Sequence, residues 1–201
     1  MSDRRERILD AARGVILREG YASASMHAIA RAAGLTRPAL YAEFGDRDEL
    51  FEELIDREEV RVLDMAATAT MEIRPGTDLL ATALDQVDVY LDLVLSAPET
   101  WRFALMPADG VPASVHERVD RGRNIIRERA EFVLTALAAM NDREIDAELW
   151  SHAAISASET AARLVVADGG SERRTAIGDT LRWLVRRVAA AIGIGGQGSA
   201  S

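Results

Sequence analysis

Thr36, Arg37, Ala39, Tyr41 and Glu43 stand close together in the run TRPALYAEF, and they are the side chains here with the clearest chemical use. They fall on the outer faces of a short helix whose inner face is Leu40 and Phe44, four residues apart. Arginine brings a fork that matches guanine O6 and N7, and hydroxyls reach phosphates or base edges. Thr36 opens the helix as N-cap, and Pro38 lies in its first turn, where a missing N–H costs little. The helix before it repeats Met26, Ile29, Ala30 and Ala33 as one apolar stripe. Gly34 ends that stripe, because glycine accepts the left-handed backbone just past a helix end. Two short helices joined by a tight turn cannot fold alone. Held by neighbours, the second can present its polar face to a DNA major groove.

Those neighbours are helical throughout. Ile8, Ala12, Val15 and Ile16 line one face of a first helix over 4–19, ended by Gly20. Helices are expected at 26–33 and 37–44. Asp46 and Glu49 form a capping-box pattern at the start of a long fourth helix, 47 to about 73. Leu50, Phe51, Leu54 and Ile55 turn its first half toward the first three helices. Arg74-Pro75-Gly76 breaks the chain. Further helices are expected at 78–96, in a short piece opened by Pro98, and at 113–140, 144–167 and 171–192. The fold class is all-α, with residues 1–50 as a three-helix helix-turn-helix domain, joined by the long fourth helix to a second helical domain over 51–201. The tail GIGGQGSAS reads as flexible.

The totals fit this layout. The chain has 201 residues, 48% of them hydrophobic, enough for a core. It has no cysteine, so thiolate and disulfide chemistry are excluded. There is no apolar run that would span a bilayer and no secretory pattern at the N-terminus, so a cytoplasmic protein is expected. The net charge of −9 is unevenly placed. Within residues 1–50, Arg4, Arg5, Arg7, Arg13, Arg18, Arg31, Arg37 and Arg47 balance Asp3, Glu6, Asp10, Glu19, Glu43, Asp46, Asp48 and Glu49. The whole acidic surplus lies beyond residue 50, in the part to be kept away from DNA. Every basic residue is arginine, which suits bidentate contacts and also follows from GC-rich coding DNA.

The stretch from Arg4 to Ile55 resembles the N-terminal domain of the TetR family of transcriptional regulators. The resemblance is carried by Ile29-Ala30, Ala33-Gly34, Leu40-Tyr41, Phe44, Arg47 and Leu50 at matching spacing. It implies a regulator in which residues 1–50 are the DNA-binding domain, with a recognition helix beginning near Thr36, and 51–201 a helical effector-binding and dimerisation domain. By that resemblance, Ser25 and His27 meet phosphate and Thr36 reaches a phosphate or base edge. Arg37 reads guanine, Pro38 and Ala39 meet thymine methyls, and Tyr41 points its hydroxyl at the DNA backbone. Arg47 grips phosphate from the start of the fourth helix. Each has a plainer alternative. Ser25 and Thr36 also serve as caps alone, His27 and Arg37 as solvated side chains, and Tyr41 as core. Glu43 departs from the family pattern; it repels phosphate or accepts from cytosine N4.

The partners implied are a double-stranded DNA operator, a small-molecule effector and a second copy of the chain. Ala153, Ala157 and Ala161, flanked by Ala154, Ser158, Ala162 and Val165, make a small-residue stripe on one of the last two helices. Ile177, Leu181, Leu184, Val188 and Ile192 make a heptad-like stripe on the other. Together they would build a four-helix dimer bundle, or else serve as the chain's own core. Tyr90, Trp101, Phe103, Met106, His116, Arg123 and Trp150 are the candidate lining of an effector pocket, with core as the alternative for each. Ligand would favour a DNA-incompetent state or, with the opposite polarity, act as a corepressor.

Two other classes compete with this one. A helical-bundle enzyme or metal-binding protein needs paired Glu and His on facing helices, and only Glu148 with His152 offers such a pair. No metalloprotease helix, phosphate-binding glycine loop or Gly-x-Ser-x-Gly elbow occurs. No catalytic residue, metal ligand or cofactor is therefore assigned. The other rival is a helical adaptor that does not bind DNA.

Overall fold

The computed structural model describes residues 3–68, 77–106 and 113–194. Among these residues there are nine α-helices and no strand: α1 (Asp3–Glu19), α2 (Met26–Ala32), α3 (Arg37–Tyr41), α4 (Arg47–Thr68), α5 (Leu79–Ser96), α6 (Pro98–Ala104), α7 (Ala113–Met140), α8 (Ala147–Val166) and α9 (Arg174–Ala191). A 3-10 turn, Ser171–Arg173, precedes α9. No described helix is long and apolar enough to cross a membrane.

The chain divides into two compact units. One holds Met1–Asp64 and Glu99–Asp120, the other Met65–Pro98 and Arg121–Ser201. The partition at residue 50 read from the sequence differs from this in two places. The first unit keeps α4 as far as Asp64, and it also takes α6 and the start of α7.

In the first unit the expected apolar stripes meet in one core. Ile8, Leu9, Ala12 and Ile16 of α1 are fully buried, with Ile29, Leu40, Phe44, Leu50 and Leu54. The turn from α2 to α3 follows the sequence reading. Gly34 takes φ +68°. The Leu35 N–H then reaches back to Ala30 O at 2.9 Å and the Gly34 N–H to Arg31 O at 3.2 Å, so two helix-end carbonyls are satisfied. α3 is shorter than expected, because regular helix stops at Tyr41. The Phe44 N–H still donates to Leu40 O at 3.0 Å, which turns the ring inward after the helix ends. At the start of α4, Asp46 Oδ1 accepts from the Glu49 N–H at 2.8 Å, and Glu49 Oε2 accepts from the Gly45 N–H at 2.7 Å. The reciprocal bond of the capping box thus goes one residue earlier than the pattern predicts.

Among the described residues of this unit one carboxylate is buried. Glu58 of α4 accepts from Arg13 of α1 (3.1 Å), from Arg57 (2.7 Å) and Arg61 (3.0 Å), and from the Thr100 hydroxyl of α6 (2.7 Å). Burial pushes its pKa up, but Thr100, Arg13 and Arg57 outweigh that and hold it below the ordinary glutamate value. Arg13 also reaches Glu99 at 2.8 Å, so α6 is tied to α1 and α4 by charge as well as packing.

In the second unit α5 packs on α8 and α9. Asp88 binds Arg182 through both oxygens at 2.6 Å, and Arg174 at 3.3 Å, pinning α5 to α9. The hydrogen bond from Arg182 is the main cause that holds the Asp88 carboxyl below its ordinary range. α8 starts at Ala147, three residues later than expected, because Asp146 caps it by accepting from the Leu149 N–H at 3.0 Å. The expected turn at Asn141-Asp142 is present, with Asp142 at φ 52°.

The stripes read as a dimer face are largely used within the chain. Ala161, Ala162, Val165, Ile177 and Ile192 are buried here. Leu181, Leu184 and Val188 are half-buried. The faces left exposed carry Leu149, Ala153, Thr160 and Leu164 on α8, and Ala176, Thr180 and Trp183 on α9. The reason is periodicity. Both helices carry small or apolar residues on more than one face, so one face packs within the chain while Leu149, Leu164 and Trp183 stay exposed on another.

Candidate nucleic-acid interface

The site is built from both ends of the α2–α3 turn. Ser25 caps α2 with extended backbone (φ −93°, ψ 154°), and its Oγ accepts from the Ala28 N–H at 3.2 Å. Thr36 caps α3 in the same way, accepting from the Ala39 N–H at 3.4 Å. Each cap leaves its hydroxyl hydrogen available as a donor. Leu40 is fully buried, which fixes the rotation of α3 about its axis. The rest of the helix therefore faces outward. Thr36, Arg37, Pro38 and Tyr41 are exposed and Ala39 is half-buried. Ser25 and His27 are exposed as well. Tyr41 keeps 51% of its surface in solvent, so it is not a core residue.

Arg37 differs from most arginines of its unit. Arg5 pairs with Glu53, Arg57 with Glu6, Asp10 and Glu58, and Arg61 with Glu58. Arg37 is exposed and has no ion-pair partner among the described residues. Arg18 and Arg31, which the sequence reading did not single out, are also exposed. They lie in the last turns of α1 and α2, where a cation complements the helix dipole without any DNA. Glu43 lies 3.6 Å from Arg4, and its carbonyl accepts from Arg5 Nη1 at 2.5 Å. Its charge is thus partly offset within the protein.

Arg47, expected to grip phosphate, turns two of its donors toward the protein itself. Its Nε donates to Ala24 O at 2.9 Å and its Nη2 to Tyr21 O at 2.5 Å. The guanidinium carbon lies 4.6 Å from the Phe51 ring centre and 5.4 Å from that of Tyr21. The sequence motif marks Arg47 by position alone; only the path of the α1–α2 connection shows where its donors go.

The candidate effector residues fall into two sets. Trp101 is buried in the first unit, and Phe103 and Met106 pack on that unit's core. In the second unit the Tyr90 hydroxyl donates to Ser158 O at 2.8 Å, and Arg123 Nε donates to Glu159 at 2.5 Å. Tyr90 and Arg123 are thus drawn to adjacent residues of α8. Burial is the main cause that drives the Tyr90 pKa well above its ordinary value. Trp150 is half-buried on α8. The His116 side chain lies outside the described residues. No cluster of three or more His, Asp or Glu that could hold a metal ion occurs among the described residues.

Comparison with known proteins agrees with this geometry. Residues 8–54 match the family model for bacterial regulatory proteins of the tetR family. A TetR-like transcriptional regulator from Rhodococcus sp. RHA1 is 28% identical, with 93% of this chain and 96% of that one covered and a TM-score of 0.74. The fatty acid degradation regulator FadR from Bacillus halodurans shares the fold at 15% identity, with 99% of each chain covered and a TM-score of 0.68. GusR from Salmonella enterica shares it at 19% identity, over 92% of this chain and 94% of that one, with a TM-score of 0.64. The matched segment is the one that carries the buried Leu40 and the outward Arg37 and Tyr41, and the fold likeness extends over nearly the whole chain. Residues 8–54 thus match the DNA-binding domain model of the tetR family, and the chain as a whole is similar to a TetR-like transcriptional regulator.

Proposed function

We propose that this protein is a ligand-responsive transcriptional repressor of the cytoplasm that binds a palindromic operator as a homodimer. Arg37 reads guanine, Pro38 and Ala39 meet thymine methyls, and Ser25, His27, Thr36 and Tyr41 contact the backbone. The observation that carries this reading is the exposed side of α3, where Arg37, with no ion-pair partner among the described residues, stands beside a half-exposed Tyr41 while Leu40 anchors the helix.

One such helix reads too few base pairs to be selective, and two copies spaced about 34–36 Å apart solve this. The exposed apolar residues of α8 and α9, Leu149, Leu164 and Trp183 among them, support a dimer through those helices. The acidic surplus beyond residue 50 supports a second part held off the DNA. An apolar or amphipathic effector, bound among the helices beyond α4, lowers operator affinity because it prefers the DNA-incompetent state. Tyr90, Arg123 and Trp150 are the residues of the second unit proposed to meet it.

Selection of bound sites from a pool of random duplex DNA tests the proposal. A two-fold symmetric consensus is the expected result. Enrichment of no sequence at low salt would overturn it in favour of a helical adaptor. Repeating the selection with a panel of metabolites tests the effector, with loss of enrichment expected for one chemical class.

A further inference from the structure

The chain between α1 and α2 leads into the surface proposed to face DNA, and one side chain holds it. Gly20 to Ala24 leave α1 and bring the chain to Ser25. Tyr21 and Ala24 are buried, at 6% and 0% exposure, and their carbonyls accept the two bonds from Arg47. Arg47 is the first residue of α4. Its guanidinium lies within cation–π range of Tyr21 and Phe51, whose ring centres are 4.7 Å apart. Ala24 directly precedes Ser25. A bond to the Ala24 carbonyl therefore fixes where Ser25 and His27 stand relative to α4.

We propose that Arg47 is a positioning residue: it clamps the α1–α2 connection to the start of α4 and so sets the place from which Ser25 and His27 meet DNA. This rests on the reading that the α2–α3 region is the DNA-facing surface. These two bonds use the Nε hydrogen and one of the Nη2 hydrogens, and a phosphate could take either hydrogen only by breaking its bond to the connection. The chemistry also explains the residue type. Two carbonyls three residues apart need two donors in a planar fork, with a flat face for the rings beneath, and arginine has all three features. Lysine keeps the charge but is a point donor on a flexible stem, so it cannot hold both carbonyls in this geometry.

The test uses the full-length protein and a duplex that the wild-type protein enriches from a random pool. Enrichment by the wild type judges the DNA-binding reading, separately from Arg47. Arg47→Lys and Arg47→Met are then titrated on that duplex over a salt series, well below their melting temperatures. Both variants are expected to melt cooperatively and to bind at least roughly tenfold more weakly, with an unchanged slope of log affinity against log salt. A direct phosphate contact gives a different pattern: Arg47→Met lowers the slope by about one, and Arg47→Lys binds like wild type. Either of those results overturns the proposal. So does a purely structural outcome, in which the variants melt earlier but bind normally while folded, or in which Arg47→Lys does not fold.

Discussion

The Thr100 hydroxyl donates to Glu58 Oε2 at 2.7 Å, and Glu58 is only 2% exposed. A residue of α6 is thus bonded to a buried carboxylate of α4. The folded-state pKa of Glu58 is depressed. Its contribution to stability is therefore present above the ordinary glutamate value, about 4.3, and is lost as pH falls through the lower folded value. Denaturation by urea from roughly pH 7 down to pH 3 should show this loss in the wild type. Glu58→Gln should cost about 3 kcal/mol near neutrality, because it leaves buried arginines without their carboxylate, and should flatten the acid limb. A Glu58→Gln variant as stable as wild type at pH 7 would contradict the role.

Two glycines are required for different reasons, and the same substitution separates them. An added Cβ at Gly34 meets nothing within 4 Å, but the backbone there has φ +68°. Gly34→Ala should cost about 1–2 kcal/mol through left-handed strain. At Gly170 a Cβ would lie 2.2 Å from Leu164 O and 2.3 Å from Val165 O. The clash is with backbone, so Gly170→Ala should cost more than Gly34→Ala and displace the turn after α8. Thermal melts of the two variants check the order.

Leu164 and Trp183 are 37% and 53% exposed, whereas Ile177 is 7% exposed. If the first two belong to the dimer face, Leu164→Glu with Trp183→Glu should shift the protein toward monomer while far-UV circular dichroism stays helical. Ile177→Glu should instead unfold the second unit, since it buries an unpaired charge. Sedimentation velocity over a concentration series distinguishes the two outcomes. A double variant that stays fully dimeric would move the interface elsewhere.

Tyr41→Phe removes only the outward hydroxyl. Stability should change by less than about 0.5 kcal/mol, as for exposed sites generally. Operator affinity should fall roughly tenfold, the size of one hydrogen bond to a charged group. Fluorescence anisotropy beside a melt reads both, and equal losses in the two would make Tyr41 a structural residue.

Much of this was legible in the sequence because local rules acted together. Gly34, the caps at Ser25 and Thr36, and the apolar spacing of Leu40 and Phe44 all point to the same turn, and the turn formed as read. Periodicity was weaker where several faces of a helix are apolar or small. Ile177 and Ile192 look the same whether they pack within the chain or across a dimer, and they pack within it. Arginine destinations were the least legible. Arg37 and Arg47 are both exposed-looking cations ten residues apart, yet only Arg47 finds carbonyls of a distant connection. The division at residue 50 had no signal for α6, whose attachment depends on Thr100 and Glu99 meeting Glu58 and Arg13 across more than forty residues of chain.

The outward side of α3 is the centre of this account, and Arg37→Ala on matched duplexes tests it most directly. Wild type and variant are titrated on the enriched duplex and on a scrambled one of equal length. The account predicts that Arg37→Ala keeps its melting temperature and its binding to the scrambled duplex but loses about 1–3 kcal/mol of preference for the enriched one. An unchanged preference between the two duplexes would contradict it.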